Sequence, residues 1–286
     1  MNFLRTKPAI ATFIVFALMA VNTAAIYAIF EPTSELLTVS FLDVGQGDAI
    51  LIESPEGVQL LIDGGRDRAV VRELPRVMSP LDRSIDMVLA THPDADHIGG
   101  LPDVLNRYRV LYYLSPGIEH GTSQAERLGA AVEDEPGAVS ILARKGMRIH
   151  LGESVYADVL YPDRDVSKAE TNSGSVVVRL VYGNTSFMFT GDAPSSVEDY
   201  LIALGGELDS DVLKAGHHGS HTSTSAAWLD AVTPSVVVIS AGKDNSYGHP
   251  HEEVLERVRA SGASVASTAE DGTIIFKSDG RTMVHK

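Results

Sequence analysis

The segment 91–100 concentrates side chains that bind metal ions in proteins. It places His92, Asp94, Asp96 and His97 in one short stretch, in the order His-x-Asp-x-Asp-His. Imidazole and carboxylate groups together suit zinc or another borderline first-row cation. A polar surface loop would explain one histidine and one aspartate, but four such side chains at this spacing favour a metal centre.

The residues on either side predict how the chain holds this segment. The apolar run 85–90 before it is typical of a buried strand. Pro93 limits the conformation of His92, and the glycines at 99 and 100 suit a tight exit turn. We therefore expect the four side chains on a loop at the end of a strand.

The order of these side chains resembles the His-x-His-x-Asp-His signature of the metallo-β-lactamase superfamily, with Asp94 in place of the second histidine. This replacement is similar to that in the hydrolase domain at the end of the competence protein ComEC. Five further motifs occur in the family's order: FLDVGQGD at 41–48, LIDGG at 61–65, TGD at 190–192, LKAGHHGS at 213–220 and YGHP at 247–250. The resemblance covers the chain from about residue 37 onward.

Strand and helix patterns alternate along this part of the chain. Apolar runs predict strands at 37–42, 49–53, 58–62, 87–90, 110–114, 176–182, 186–190, 211–214 and 236–239, with further strands between 138 and 161. Helical spacing predicts helices at 67–78, 99–108, 123–133, 195–204, 225–232 and 252–260. The expected fold class is α/β, an αβ/βα metallo-β-lactamase sandwich of two mixed sheets with helices outside.

Three local details accompany these predictions. Pro75 is expected to kink the first of these helices or to end it early. Ser195 and Glu198 have the spacing of a capping box at the start of a helix. Asp271 and Gly272 predict the turn of a final β-hairpin over 263–277.

The resemblance implies a centre of two divalent ions, for which zinc is favoured and manganese is allowed by the carboxylates. The implied ligands are His92, Asp94, Asp96, His97, Asp192 and His217. The first two would hold one ion, and the next two would hold the other together with His217. Asp192, at a predicted strand end after a glycine, would bridge the ions.

The adjacent histidines 217 and 218 are expected to have different roles. Successive side chains of an extended segment point to opposite sides, so one imidazole can face the ions while the other lines the substrate side. The resemblance implies His217 as the ligand and His218 as a substrate contact or proton donor, and the reverse assignment stays open. Asp96 could take the proton from the attacking water. Lys214 lies just before the pair and is a further candidate.

Other candidate residues would support the centre or contact the substrate. Asp43 and Asp63 end predicted strands, where turn capping is one reading, and the resemblance puts them near the metals. Asn172 occupies a turn where many superfamily members carry a histidine ligand, a loss that the ComEC-like branch shares. Asn245 and His249 lie on a loop after a predicted strand, where such folds carry substrate contacts.

The composition limits the partners. The formal net charge is −15 at pH 7, which disfavours a protein that binds nucleic acid through a broad basic face. A nuclease with a small substrate footprint stays possible, because bound divalent ions neutralise phosphate charge locally. The chain contains no cysteine, so metal ligands must be histidines and carboxylates, and no disulfide-linked partner is expected.

The N-terminal region predicts a membrane segment. Residues 9–30 carry no charge, and at about 1.5 Å per residue this run just spans a hydrocarbon core of about 30 Å. Arg5 and Lys7 precede it and acidic residues follow it, which predicts residues 1–8 inside, a linker at 31–36 and the hydrolase domain 37–286 outside. A cleaved signal peptide, with secretion of the domain, is the alternative.

The expected reaction is hydrolysis of a phosphodiester by a metal-activated water. Single-stranded DNA is the substrate that the ComEC-like resemblance implies. A cell-envelope phosphodiester, such as a phosphorylcholine or teichoic-acid-type ester, would suit an outward-facing enzyme, and a lactone is a weaker match to the ligands. A catalytically silent, metal-stabilised module that binds a partner at the membrane is the alternative from another class, because the third-motif histidine is missing.

Overall fold

The computed structural model describes residues 6–29 and 36–285, with side chains described over 11–23 and 36–285. The chain divides into two compact units, Met1–Ser34 and Glu35–Lys286. The first unit contains helix α1 (Thr6–Ile29). Within the described residues, the structure has no helix that is both long enough and apolar enough to cross a membrane. The predicted membrane segment 9–30 and linker 31–36 extend beyond the described residues and stay predictions.

The second unit is built from two β-sheets. Its strands are β1 (Leu37–Phe41), β2 (Ile50–Glu53), β3 (Gln59–Ile62), β4 (Ser84–Leu89), β5 (Arg109–Ser115), β6 (Val139–Leu142), β7 (Arg148–His150), β8 (Val155–Tyr161), β9 (Val177–Tyr182), β10 (Thr185–Phe189), β11 (Val212–Lys214), β12 (Val236–Ile239), β13 (Ser264–Ser267), β14 (Ile274–Ser278) and β15 (Met283–His285). Among the described residues, an eight-stranded sheet has the order β15-β14-β1-β2-β3-β4-β5-β6, and a seven-stranded sheet has the order β13-β12-β11-β10-β9-β8-β7.

Both sheets are mixed, and each has an antiparallel part and a parallel part. Strands β1 to β3 are antiparallel neighbours, whereas β3 to β6 run parallel. In the other sheet β7 to β10 are antiparallel neighbours, whereas β10 to β13 run parallel. Because parallel strands share one direction, their carboxyl ends meet at one edge of each sheet. The predicted ligand motifs follow these strand ends.

The inner faces of the two sheets pack on each other through an apolar core. At its centre the side chains of Phe41, Phe187, Phe189 and Phe276 are at most 1% exposed. Their ring centroids lie 5.7 to 6.1 Å apart in four successive pairs. Burial of one such side chain stabilises the fold by about 1.5–3 kcal/mol relative to its exposed state, so this core fixes the two sheets together.

Helices cover the outer faces of the sheets. They are α2 (Ala69–Val77), α3 (Ala95–Ile98), α4 (Leu101–Leu105), α5 (Ser123–Asp134), α6 (Ser195–Leu204), α7 (Ala226–Val232), α8 (Glu252–Ala260) and α9 (Thr268–Asp271). Val70, Leu101 and Leu128 pack on the outer face of the eight-stranded sheet. Leu201 and Trp228 pack on that of the seven-stranded sheet. The predicted arrangement of two mixed sheets with helices outside is therefore confirmed.

The predicted final β-hairpin is wrong. Strand β13 pairs with β12 in the seven-stranded sheet, whereas β14 pairs with β1 in the eight-stranded sheet. Between them Asp271 and Gly272 end the short helix α9 instead of a two-residue turn: Asp271 accepts a hydrogen bond from the Ser267 amide, and Gly272 donates its amide to Thr268. A Gly at positive φ suits either structure, so the local pattern did not separate them.

Two predicted helices have different bounds. Pro75 lies inside α2, which continues to Val77, so the expected early end is wrong. Because Pro75 falls in the last turn, it removes only one helical hydrogen bond, and the Met78 amide still binds the Leu74 carbonyl at 2.9 Å. The helix predicted at 99–108 is shorter in the structure, where α4 covers only Leu101–Leu105, and a further short helix, α3, lies before it within the predicted metal-binding segment.

The predicted capping box at the start of α6 is also wrong. Pro194 occupies the N-cap position, and no side chain caps the helix. The Glu198 side chain is instead buried and turns toward the next loop, where its carboxylate accepts hydrogen bonds from the amides of Thr224 and Ser225 at 2.6 and 2.9 Å. Glu198 therefore ties α6 to the loop that follows the adjacent histidines.

Candidate metal centre

The predicted ligands come together where strands of both sheets end. Strand β4 leads into the segment 91–97, and the end of β10 leads to Asp192. Strand β11 leads into a short 3-10 turn, Gly216–Gly219, which carries the adjacent histidines. The two sheets thus supply opposite walls of one centre.

Three buried imidazoles are oriented toward this centre by the same kind of contact, a partner for Nδ1. In each ring Nδ1 has a partner inside the protein, which leaves Nε2 to face the centre. The three contacts are His92 Nδ1 to Thr91 Oγ1 at 3.0 Å, His97 Nδ1 to Asp63 Oδ2 at 2.8 Å and His218 Nδ1 to the Ser240 carbonyl at 2.9 Å. An Nε2 atom fixed in this way is the arrangement of a histidine metal ligand.

The three Nε2 atoms converge on one carboxylate, that of Asp192. Its oxygens lie 3.2 Å from His97 Nε2, 3.5 Å from His218 Nε2 and 3.9 Å from His92 Nε2. Two ligands of one tetrahedral ion with bonds of about 2.0–2.2 Å lie roughly 3.3 Å apart. The separations around Asp192 are therefore close to those between ligands of a shared ion.

The two aspartates of the segment 91–97 lie on different sides of the centre. On one side Asp94 Oδ2 lies 3.8 Å from His92 Nε2. On the other side Asp96 Oδ2 lies 3.6 Å from His218 Nε2, and His218 Nε2 lies 3.2 Å from His97 Nε2. Asp192 borders both sides, as a bridging ligand must.

A bound cation would satisfy atoms that otherwise lack partners. His92 Nε2 and Asp192 Oδ1 are buried side-chain atoms without a hydrogen-bond partner. Buried polar atoms are normally paired, because an unpaired one loses its hydration without compensation. Burial also holds the pKa of His92 well below its usual range, so the ring is neutral, as a metal ligand must be. The residues present therefore fit a divalent metal ion.

His218, and not His217, belongs to a buried group of possible metal ligands. Atoms of Asp48, His97, Asp192 and His218 all lie within 4.8 Å of one another, and all four side chains are buried. The His217 side chain is 28% exposed, and its Nε2 lies 3.6 Å from Asp192. This geometry favours the assignment that the sequence left open, with His218 as the ligand.

The backbone explains why His218, and not His217, turns its side chain inward. Residues 217 and 218 have φ values of 48° and 56°, in the left-handed region that side-chain-bearing residues rarely adopt. The expectation of alternating side chains assumed an extended segment, and two successive left-handed residues do not follow that rule. The His217 ring, held by Thr222 Oγ1 at 3.0 Å from its Nδ1, lies at the mouth of the centre instead.

A buried ion pair beside the centre was only partly anticipated. Lys214 Nζ lies 2.6 Å from Asp48 Oδ2, with both side chains at most 2% exposed. Burial opposes ionisation of Asp48, but the charges of Lys214 and His218 outweigh it and lower the pKa of this carboxyl to about 2. Lys214 was a candidate, whereas Asp48 was missed, although it ends the first of the five supporting motifs.

The charged groups of the centre also shift one another's pKa values. Burial opposes protonation of His218, but the charges of Asp192 and Asp48 raise its pKa to about 9. Burial likewise opposes ionisation of Asp192, yet the charges of His218 and His97 hold its pKa well below the usual range. In the absence of a cation, the centre therefore holds protons that metal binding must displace.

The structure does not bring every predicted supporting residue to the centre. Asp63 is fully buried. One carboxylate oxygen contacts His97 Nδ1, and the other accepts a hydrogen bond from the Thr91 amide at 2.8 Å. Asp43 is exposed and accepts a hydrogen bond from the Gly45 amide at 3.2 Å, so it caps a turn. In the turn of the missing histidine, the Thr171 hydroxyl donates a hydrogen bond to Asn172 Oδ1 at 3.5 Å.

The predicted loop residues Asn245 and His249 have distinct positions. His249 lines the cavity over the centre together with Asp94, Asp192 and both adjacent histidines. Asn245 does not line it: its side chain binds the backbone of the loop at residues 242, 247 and 249. Asn245 therefore shapes the loop that brings His249 to the cavity.

Comparison with known proteins decides the family. The sequence profile of the metallo-beta-lactamase superfamily matches residues 42–243, which include every side chain of the centre. The chain belongs to the metallo-β-lactamase superfamily. Two solved structures share the superfamily fold: Igni18, a metallo hydrolase from Ignicoccus hospitalis, has a TM-score of 0.57 at 16% identity and covers 84% of this chain and 98% of its own. The E377D mutant of the CmlA beta-hydroxylase has a TM-score of 0.53 at 15% identity, and the match covers 84% of this chain and 53% of the mutant's chain.

Within the superfamily, this chain is similar to proteins named for competence and recombination. ComE operon protein 3 of Bacillus subtilis is 28% identical over 262 residues. Recombination protein 2 of Haemophilus influenzae is 32% identical over 241 residues, and competence protein ComA of Neisseria gonorrhoeae is 31% identical over 239 residues. These matches cover 82–84% of this chain but only 28–33% of each relative. The chain thus spans about a third of the length of these relatives.

Proposed function

We propose that this chain is a metal-dependent hydrolase of phosphodiesters, and that a nucleic acid strand is its substrate. The observation that carries the proposal is the convergence of His92, His97 and His218 on Asp192, with an aspartate on each side of that carboxylate. The names of the relatives, which refer to competence and recombination, support nucleic acid over a lactam or lactone.

The ligand set suits two divalent ions. His92 and Asp94 would hold one ion, and Asp96, His97 and His218 the other. Asp192 would bind both. Bound there, divalent ions supply Lewis acidity, which lowers the pKa of water and stabilises negative charge on phosphate oxygens. Imidazoles favour zinc and the carboxylates also allow manganese, so both belong in the test.

The protein groups around the ions have separate tasks. Burial opposes ionisation of Asp96, but its contact with His218 and the charge of His97 hold its pKa well below the usual range. A carboxylate this acidic suits a ligand better than a general base. His217 has an exposed edge and lines the cavity over the centre, so we assign the leaving-oxygen contact to His217 rather than His218.

Turnover of bis-p-nitrophenyl phosphate by the purified full chain tests this proposal. We expect hydrolysis with added zinc or manganese and none with a chelator, and we expect Asp96→Ala to lower kcat/KM at least about 100-fold. The matched control is Asp134→Asn, which changes an exposed carboxylate at the end of α5 and should leave turnover intact. A chain that binds metal and folds but turns over no diester would favour the silent binding module.

We also propose, from the sequence, that residues 9–30 attach the chain to a membrane with the hydrolase unit outside. The run carries no charge, and Arg5 and Lys7 precede it. Secretion after cleavage of this segment is the alternative that a location experiment separates.

A further inference from the structure

The cavity over the metal centre has an outer wall whose residues the proposed chemistry does not use. This cavity of about 100 Å³ is lined by Gln46, Tyr247 and His249 in addition to groups of the centre. Arg66 joins them, because its Nη1 lies 3.5 Å from the Tyr247 hydroxyl, to which it donates. We call Gln46, Arg66, Tyr247 and His249 the outer rim.

The outer rim presents a flat aromatic surface to solvent. Tyr247 is 51% exposed, and its ring stacks on that of His249 with centroids 5.8 Å apart and planes inclined by 23°. The His249 ring in turn meets the His217 ring edge to face, with centroids 5.5 Å apart and planes inclined by 74°. A continuous row of rings therefore leads from the exposed tyrosine to the proposed leaving-group contact. Exposed aromatic rings of this kind are the platforms on which unpaired bases stack.

The loop that carries these rings is held in place before any ligand binds. Asn245 Oδ1 accepts hydrogen bonds from the amides of Tyr247 and His249 at 3.1 and 3.0 Å. The Gly242 amide donates to Gln46 Oε1 at 3.2 Å, which joins the loop to the opposite wall. A surface fixed in this way loses little conformational freedom when a ligand binds, which is typical of a built binding site.

Two buried polar atoms of the outer rim have no partner. They are Gln46 Nε2, a donor, and His249 Nδ1. Most buried polar groups are paired, and each exception needs an explanation. Both residues line the cavity, so a ligand with donor and acceptor edges could pair with these buried atoms after a small side-chain adjustment. A nucleobase has such edges, whereas a polyol phosphate chain has no ring to stack and a choline group has no donor or acceptor.

We propose that the outer rim seats one unpaired base next to the scissile phosphodiester, with Tyr247 and His249 stacking on the base and Arg66 binding a neighbouring phosphate. The strand has to be single, because a base inside a duplex is already stacked on both faces. A phosphorylcholine ester fits poorly, since the guanidinium of Arg66 stands beside the tyrosine that would have to attract a quaternary ammonium. This inference rests on the proposed phosphodiester hydrolysis and adds the residues that select its substrate.

The test compares two single-stranded oligomers of equal length, one with bases and one abasic, as substrates of the metal-loaded full chain. We expect wild-type kcat/KM to be higher for the base-bearing oligomer, and Tyr247→Ala to remove about 5- to 100-fold of that advantage. Tyr247→Phe should keep most of it, because the ring remains. Arg66→Ala should lower kcat/KM for both oligomers, because both carry phosphate.

Two exposed residues provide matched controls. Tyr112→Ala changes a tyrosine that is 43% exposed in β5, and Arg72→Ala changes an exposed guanidinium on α2. Neither residue lines the cavity, so neither change should alter the ratio of the two kcat/KM values. A thermal melt of each variant checks that the fold is retained.

The outcomes separate this inference from the proposed function. If bis-p-nitrophenyl phosphate is hydrolysed but Tyr247→Ala lowers kcat/KM for both oligomers by the same factor, the outer rim does not read bases, and the proposed hydrolysis still stands. If no diester is hydrolysed, the proposed function fails. Fluorescence anisotropy with the same oligomers, labelled, then tests whether the outer rim binds a base. Tighter binding of the base-bearing oligomer, lost in Tyr247→Ala, would support the inference, and equal binding would overturn it.

Discussion

At the scale of single residues, the centre depends on pairings that leave one atom of each side chain available. Thr91, Asp63 and the Ser240 carbonyl occupy Nδ1 of the three buried histidines, which fixes each ring with Nε2 toward Asp192. Such partners of a ligand commonly change metal affinity or activity by about 10- to 100-fold when removed. The surroundings of the ligands therefore matter almost as much as the ligands.

The Lys214–Asp48 pair gives a prediction about stability. Lys214→Met leaves the buried Asp48 carboxylate with His218 as its remaining charged neighbour, which should destabilise the chelator-treated protein by up to about 3–5 kcal/mol. Adding Asp48→Asn should recover part of this loss, because no uncompensated charge then remains. Chemical denaturation of the full chain measures both effects, with the exposed Lys145→Met as control. Equal stability of Lys214→Met and wild type would contradict the account of this pair.

The centre also predicts two opposite responses to pH. Because the pKa of His218 is raised to about 9 without metal, its contribution to the stability of the metal-free protein is full below pH 6.5. That contribution is lost as the pH rises through about 9. Metal affinity should change the other way, rising about tenfold per pH unit for each displaced proton.

Chelator competition and thermal melts between pH 6.5 and 9 measure these two responses. Histidine ligands that are already neutral at pH 6.5 would give a flat metal affinity over this range. That result would contradict the charge arrangement described around His218.

At the scale of elements, the turn that carries the adjacent histidines is braced from behind. Glu198 on α6 accepts hydrogen bonds from the amides of Thr224 and Ser225, and Thr224 Oγ1 accepts one from the Gly216 amide at 2.9 Å. The bracing runs from an outer helix to the residue before His217. It holds two successive residues in the left-handed backbone region, which costs free energy wherever it occurs.

We expect Glu198→Gln to weaken this bracing, because the amide group can replace only one of the two acceptor oxygens. The loss of one buried hydrogen bond should lower the free energy of unfolding by about 1–3 kcal/mol and should weaken metal binding as well. Chemical denaturation and a zinc titration of the full chain check both effects. The exposed Glu207→Gln is the control. An unchanged zinc affinity would mean that the turn keeps its shape without the bracing.

The same elements show which features were predictable from the sequence. The segment 91–97 and the strand ends before Asp63 and Asp192 follow from local patterns, and the structure places all of them at one centre. The roles of His217 and His218 did not follow, since they depend on a left-handed backbone that no local pattern announces. Strands β13 and β14 joined different sheets because strand pairing is a tertiary property. Asp48 became recognisable only beside its distant partner Lys214.

At the scale of the whole molecule, charge and organisation set the conditions for the substrate. A chain with a formal net charge of −15 repels a polyanion at long range, so binding has to come from the ions and the outer rim. Under the proposed function, a small local footprint therefore has to hold the strand against this repulsion. The matching region makes up only 28–33% of the length of each relative.

The N-terminal run gives a prediction about location. We expect the full chain to stay in the membrane fraction after carbonate extraction, and protease added outside intact cells to digest the hydrolase unit. Replacing Ile14 and Leu18 by lysine should release it, since charged side chains in an apolar run are costly in a bilayer. A mature protein that lacks residues 9–30 and lies free in the medium would instead support a cleaved signal.

The central claim is that Asp192 joins two metal ions that act together on a phosphodiester. The most direct measurement is a zinc or manganese titration of the chelator-treated full chain, with bound metal and bis-p-nitrophenyl phosphate turnover followed in the same samples. We predict that turnover rises with the binding of two ions per chain, and that Asp192→Asn loses both together. Turnover that is complete before any second ion binds, or that persists in Asp192→Asn, would contradict the claim.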